Sequence, residues 1–411
     1  MKKYNIPFSP PDISEEEINE VIDTLKSGWI TTGPKTKELE RRLSEFTSTP
    51  KTVCLNSATA ALELTLRVLG IGEGDEVIVP AMTYTASCSV IYHVGAKAVI
   101  VDISEDSHEM DYVALADAIT EKTKAVVPVD LAGIPCDYDK IFEVVESKKH
   151  LFKANSEYQE KLGRVAVVAD GAHALGSTYK GKKIGSVADF TTFSFHAVKN
   201  FTTAEGGSVT WKENENFDNE ELYREYQIYS LHGQTKDALA KTKAGSWEYD
   251  IVIPGYKCNL TDIAASIGLV QLDRYPKLLE RRDNIISQYN KGFEGTRITA
   301  LSHSSEEYKS CGHLYITHVE GATFEQRGEI IVKMAERGIS CNVHYKPLPL
   351  LTAYRNLGFD IENYPNAYNY YVKEITLPLH TRLTDEDVAV IIENFKEIVQ
   401  EVVVSNYGNE L

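Results

Sequence analysis

Seven short runs, Thr52–Leu55, Glu76–Val79, Lys97–Val101, Lys124–Val129, Val165–Ala169, Phe190–Phe195 and Ser208–Trp211, are mostly near-continuous in apolar residues. A strand with one wet face alternates apolar and polar side chains, whereas a strand buried on both faces does not. Helical patterns lie between the runs, near 59–69, 84–94, 111–119 and 137–149. This alternation points to an α/β fold, a doubly wound layer with a parallel or mostly parallel sheet between helices.

Before that layer, Ser14 and Glu17 have capping-box spacing, and Ile18, Val21, Ile22 and Leu25 follow at helical intervals until Gly28. Trp29 to Pro34 reads as a turn-rich crossing segment. After Thr261 the pattern changes. Residues 262–290 read as a long helix broken at Pro276, and the remainder mixes strands and helices. We therefore expect two domains, 1–271 and a smaller α+β domain, 272–411. Residues 148–163, polar and rich in lysine, look like an insertion before the Val165 strand.

Charge narrows the function. With 43 Lys+Arg against 60 Asp+Glu the net charge is −17, which argues against nucleic acid and anionic membranes as partners. The 43% hydrophobic and 25% charged content is that of an ordinary globular protein. Cys54, Cys88, Cys136, Cys258, Cys311 and Cys341 are scattered, with neither CxxC pairs nor histidine clusters, so a reducing compartment is expected and a metal site is not. No apolar stretch follows Lys2 and Lys3, and none approaches a membrane span, so the expected location is the cytoplasm.

Two glycine-rich segments are decoys. Gly70-Ile71-Gly72-Glu73-Gly74 precedes a strand, where a dinucleotide fingerprint must follow one. Gly176 to Lys183 resembles a phosphate loop but has Lys183 at the hydroxyl position, and reads better as a hairpin.

Three other segments fit one another. Asn56-Ser57-Ala58-Thr59 follows a strand and opens a helix, so its backbone N–H groups and the Thr59 hydroxyl could receive an anion. Asp170-Gly171-Ala172-His173 ends a buried strand, the place where α/β folds bind ligands. Ser194 ends another strand, and Lys199 follows in an irregular segment before Gly206-Gly207. Each has an ordinary reading alone: a helix cap, a capping carboxylate, a solvated lysine. Together they meet the needs of pyridoxal 5′-phosphate (PLP), which requires an amine for its Schiff base, an acid against the pyridine nitrogen and a phosphate cradle. Asp170 lies 29 residues before Lys199, close enough for adjacent strands to bring both to one ring. Tyr84, just past a further strand end, could stack on that ring.

The chain resembles the fold-type I sugar-nucleotide aminotransferases of the DegT/DnrJ group over nearly its whole length. Gly28 to Pro34, Asp170 to His173, Phe193 to Gly207 and Gly255-Tyr256-Lys257-Cys258-Asn259-Leu260 carry the likeness. Phe193 to Gly207 is most similar to the enzymes that aminate a UDP-linked 4-keto sugar. The resemblance implies a mixed, mostly parallel seven-stranded sheet. It implies that Lys199 links to the cofactor and then shuttles protons, Asp170 pairs with the pyridine nitrogen, and Tyr84 stacks. Ala58, Thr59 and Ser194 would hold the phosphate, and Asn259 would reach the phosphate in the neighbouring subunit of a homodimer. His173 stands where many relatives have Gln, near the ring hydroxyl. Thr32, Gly33, His344, Tyr345 and Lys346 would contact substrate. Pro349, where a histidine is frequent, and the 148–163 insertion leave the sugar open. The implied reaction transfers an amino group from L-glutamate to a nucleotide-linked keto sugar for amino-sugar and polysaccharide biosynthesis. Alternatives are a 3-keto-sugar aminotransferase, another fold-type I reaction and a non-catalytic binding protein. Lys35, Lys37, Lys257 and Lys346 are candidates for positive potential near an anionic substrate.

Overall fold

A computed structural model describes residues 3–105, 107–236 and 248–404. The strands are β1 (Thr52–Leu55), β2 (Glu76–Pro80), β3 (Lys97–Val101), β4 (Thr123–Val126), β5 (Ala166–Asp170), the hairpin β6 (Thr178–Tyr179) and β7 (Lys182–Lys183), β8 (Phe190–Ser194) and β9 (Gly207–Trp211). All seven expected runs form one sheet of order β1-β9-β8-β5-β4-β2-β3, parallel except that β9 runs against both its neighbours. The internal strands are almost wholly buried, while the edge strand β3 exposes Lys97. Successive side chains enter opposite cores: Val77 and Val79 one, Ile78 the other. The segment 176–183 is the expected hairpin, and 70–74 is the turn before β2.

Helix α1 (Glu15–Ser27) has its Ser14–Glu17 capping box and ends at Gly28, whose φ is 77°. Its docking is inverted. Glu17 is buried and pairs with Arg274 at 2.6 Å, while Ile18, Ile22 and Leu25 are 45%, 41% and 54% exposed. Next come α2 (Pro34–Thr47), α3 (Ala58–Val68), α4 (Thr85–His93), α5 (Tyr112–Ala118), α6 (Tyr138–Ser147), α7 (Glu157–Leu162), α8 (Asn219–Ser230) and α9 (Asp262–Phe293).

The expected break at Pro276 is absent, and α9 is continuous across it. Proline inside a helix removes one hydrogen bond and costs about 3 kcal/mol. Here Leu272, Tyr275 and Leu278, buried against the large sheet, hold the rod on both sides of it. The far half of α9 (Ile285, Ile286, Tyr289, Phe293) belongs to a third core. That core is built with β10 (Ile298–Ala300), β12 (Tyr315–Val319) and β13 (Glu374–Leu377), while β11 (Tyr308–Lys309) joins the hairpin sheet. The helices α10 (Phe324–Glu336), α11 (Thr352–Asn356), α12 (Pro365–Lys373) and α13 (Asp385–Val399) complete this end. Because the cores exchange within α9, we propose the division into 1–271 and 272–411 as two domains on a shared rod.

Asn155 Nδ2 donates to Asp75 at 2.9 Å, and Gln159 Nε2 donates to the Leu69 carbonyl at 2.8 Å. The 148–163 segment therefore braces the turn at the amino end of β2.

Candidate active site

The carboxyl ends of β1, β2, β5 and β8 and the start of β9 meet at one edge of the sheet, around a cavity of 540 Å³. It is lined by Ala58, Thr59, Tyr84, Asp170, His173, Ser194, Lys199, His344 and Tyr345, among others. Nine residues named from sequence therefore converge on one space.

One wall is an anion cradle. Ser57 caps α3 by accepting from Ala60 N at 3.1 Å, which leaves the amides of Ala58 and Thr59 at the free helix end. Gly206-Gly207 passes close behind. A Cβ at Gly207 would lie 2.3 Å from Ala58 N and 2.4 Å from the Ser57 carbonyl carbon. Gly207→Ala is therefore expected to push the α3 N-terminus aside and weaken binding of PLP to the cofactor-free protein at least about tenfold. A spectroscopic PLP titration checks this, with far-ultraviolet circular dichroism confirming an unchanged fold.

At the other end, Asp170 is buried at the tip of β5. Its Oδ2 accepts from Ser87 Oγ at 2.6 Å and its Oδ1 from Ala172 N at 3.1 Å. Burial raises its pKa, and those hydrogen bonds and the Lys199 charge oppose the rise. A buried carboxylate so placed suits a protonated ring nitrogen.

Lys199 sits in the turn after β8, its N–H bonded to the His196 carbonyl at 2.9 Å. Burial brings its amine down to about 8, against the pull of Asp170 and Cys311, so a neutral, nucleophilic amine is accessible near neutral pH. Asn200 steadies the turn by donating to the Cys311 carbonyl and meeting His313 Nδ1, both at 2.9 Å.

His173 Nδ1 accepts from Ala132 N at 3.2 Å, and burial pushes its pKa well below the usual histidine range. The ring is neutral and its proton is on Nε2, 3.2 Å from Tyr345 OH. Tyr84 is exposed on the cavity rim, its ring 5.8 Å from that of Tyr345.

The model of the DegT/DnrJ/EryC1/StrS aminotransferase family matches residues 11–396. The chain belongs to that family. Spr1654 from Streptococcus pneumoniae in its PLP form is 67% identical with a TM-score of 0.94, covering 97% of this chain and 100% of that one. The spore coat polysaccharide biosynthesis protein SpsC of Bacillus subtilis is 38% identical, over 97% of this chain and 98% of its own. The UDP-4-amino-4-deoxy-L-arabinose–oxoglutarate aminotransferase of Shewanella sediminis is 35% identical, over 97% and 99%. The chain is thus a PLP-dependent sugar aminotransferase, and the cradle, Asp170 and Lys199 fit that cofactor.

Several expected residues of this aminotransferase lie outside its own cavity. Thr32, Gly33 and Asn259 gather at the N-terminus of α9, where Gly33 N donates to Asp262 at 2.8 Å and Asn259 Nδ2 donates to Thr32 Oγ1. Lys346 is exposed and does not line the cavity. Neither do the other expected cations. Lys35 pairs with Glu20 at 2.7 Å and Asp23 at 3.3 Å, Lys37 with Glu40 at 3.7 Å, and Lys257 bonds Asn259 Oδ1. Local positive potential from Lys35 and Lys37 is therefore not supplied to this cavity; acids neutralise them. Sequence reading missed Ser87, Asn200 and His313. Ser87 carried a signal, since it falls one helical turn after Tyr84.

Proposed function

We propose that this aminotransferase moves the amino group of L-glutamate to a nucleotide-linked keto sugar, most closely a UDP-4-keto hexose or pentose. The carrying observation is that Lys199 and Asp170 line one cavity together with His344 and Tyr345. The Shewanella relative's oxoglutarate and UDP-pentose chemistry supports the donor and the sugar class, and SpsC supports a role in polysaccharide biosynthesis.

PLP, held by Lys199, Asp170, Ala58, Thr59 and Ser194, would supply the carrier for the amino group and a ring that absorbs electron density from the reacting carbon. The chain does the rest. Lys199 Nζ, neutral in an appreciable fraction of molecules near neutral pH, removes and returns the proton at the reacting carbon. Asp170 stabilises positive charge at the ring nitrogen, and Ser87 keeps its carboxylate aimed. His173 offers Nε2–H toward the ring hydroxyl, Tyr84 covers the open face, and Ala58, Thr59 and Ser194 hold the phosphate. The assay is incubation of the PLP-loaded enzyme with glutamate and a panel of UDP-, dTDP- and GDP-linked 3- and 4-keto sugars, read by mass spectrometry. An amino sugar from a UDP-4-keto member is expected. Product only from 3-keto members would sink the 4-keto reading, and none at all would sink the substrate class.

We further infer a homodimer with shared sites, in which Thr32, Gly33 and Asn259 serve the partner's cavity and Lys257 and Lys346 add positive potential. The outward apolar stripe Ile18, Ile22 and Leu25 supports it, since burying such side chains stabilises by about 1.5–3 kcal/mol each. Mixing Lys199→Ala and Asn259→Ala subunits should restore up to about a quarter of wild-type activity, because half the dimers carry one intact site of two. No recovery on mixing would place Asn259 in its own subunit's chemistry. Six free cysteines fit a cytoplasmic location. Among the described residues no helix is long and apolar enough to cross a membrane.

A further inference from the structure

His344 lines the cavity between the ring of Phe8, stacked at 5.6 Å and 19°, and that of Tyr345, edge-on at 4.9 Å. Its Nδ1 lies 2.9 Å from Thr376 Oγ1, and its Nε2 makes no hydrogen bond among the described residues. With Nδ1 engaged by Thr376, Nε2 is the ring nitrogen left for a ligand, so the proton's position on the ring matters. Burial holds the imidazole neutral, with a pKa of about 3.

The buried bonds behind the ring decide between the two tautomers. Glu374, wholly buried on β13, accepts from the His344 backbone N–H at 2.9 Å through Oε2 and from the Thr376 hydroxyl through Oε1. A hydroxyl has one proton, and here it points to the carboxylate. Toward His344 it offers a lone pair, so Nδ1 must donate and Nε2 must be bare. Above pH 7, to about which burial raises Glu374 against Arg327, the carboxylate is ionised and the order holds. Tyr370 and Cys341 also neighbour it, and burial keeps both neutral there.

We propose that Glu374 and Thr376 are positioning residues that hold His344 in its Nδ1–H tautomer, so that the Nε2 lone pair accepts a hydrogen bond from a hydroxyl group of the sugar substrate. A bare nitrogen repels phosphate oxygens, so this wall reads the sugar and turns the nucleotide phosphates elsewhere. The recognition half rests on the sugar-substrate reading above; the tautomer half does not.

The test uses PLP-loaded enzyme with 15N-labelled histidine at pH 8, His344 being assigned by its loss in His344→Gln. Long-range proton–nitrogen correlation should show a protonated Nδ1 and a bare Nε2. In Glu374→Gln the side-chain carbonyl must serve the His344 N–H, so the amide donates to Thr376. The hydroxyl then turns to donate to Nδ1, and the proton moves to Nε2. The KM for the keto sugar should rise about tenfold, the loss of one hydrogen bond, with kcat and the glutamate half-reaction unchanged. Thr376→Ser should keep both the wild-type tautomer and KM, and Thr376→Val should lose the tautomer preference if Glu374→Gln does not fold. A wild-type Nε2–H ring, or a tautomer indifferent to both Glu374→Gln and Thr376→Val, overturns the relay. An inverted tautomer with unchanged KM overturns the recognition role. Failure to turn over any keto sugar refutes the parent reading, while the nitrogen spectra still decide the relay.

Discussion

Lys199→Ala is expected to lower turnover by about 10⁴-fold or more and to abolish the absorbance of lysine-bound cofactor. Two functions disappear with one amine. The covalent link is lost, and so is the base that removes and returns the proton at the reacting carbon. The size of the effect follows from how little else can substitute. The histidines around the amine, His173, His313 and His344, are all pushed toward the neutral form by burial and by the Lys199 charge, and none has the reach of a lysine in that turn. The measurements are steady-state turnover and the visible spectrum of the purified variant. PLP should still bind non-covalently, since the Ala58–Thr59 cradle and Asp170 are untouched. Residual turnover within about tenfold of wild type would remove Lys199 from the chemistry.

Asp170→Asn should cost about 10²–10³-fold in kcat with a smaller change in KM. The carboxylate acts on charge that must be sustained at the ring nitrogen while the reacting carbon gives up its proton. An amide of the same shape keeps the packing and the Ser87 contact but carries no charge. Burial magnifies the loss, because Asp170 at the end of β5 is shielded from bulk solvent and its charge acts through a medium of low dielectric. Replacing Ser87 by Ala removes the 2.6 Å hydrogen bond without removing the charge and should cost far less. Stopped-flow measurement of the glutamate half-reaction separates the chemical step from binding. Equal rates for wild type and Asp170→Asn would show that the ring nitrogen needs no anionic partner here.

Much of this arrangement was legible in the sequence because it is written in local patterns. A strand buried on both faces must be apolar throughout, so all seven strands of the sheet could be read off within a residue or a few at each end. The cofactor residues sit where strands end, and their chemistry leaves few residue types to choose from. What escaped was long-range. Helical spacing gives the apolar face of α1 but not which face docks, and here Glu17 turns inward to Arg274, 257 residues away. Lys35 and Lys37 looked available for an anionic substrate until the fold brought carboxylates to them. Ser87 and Asp170 are 83 residues apart, and His313 and Asn200 are 113. Pro276 has a strong local meaning, and tertiary packing along α9 overrode it.

The shared helix has a thermodynamic consequence. A chain of this length with separate cores would ordinarily melt in stages, each core losing its order at its own temperature. Here neither the sheet core that holds Leu272, Tyr275 and Leu278 nor the far core that holds Ile285, Tyr289 and Phe293 can dissolve without stripping one half of α9, which exposes the end of the other. The two should therefore form one cooperative unit, visible as a single calorimetric peak. A cavity cut into the far core, as by Phe293→Ala, should shift that whole peak downward and not split a shoulder from it.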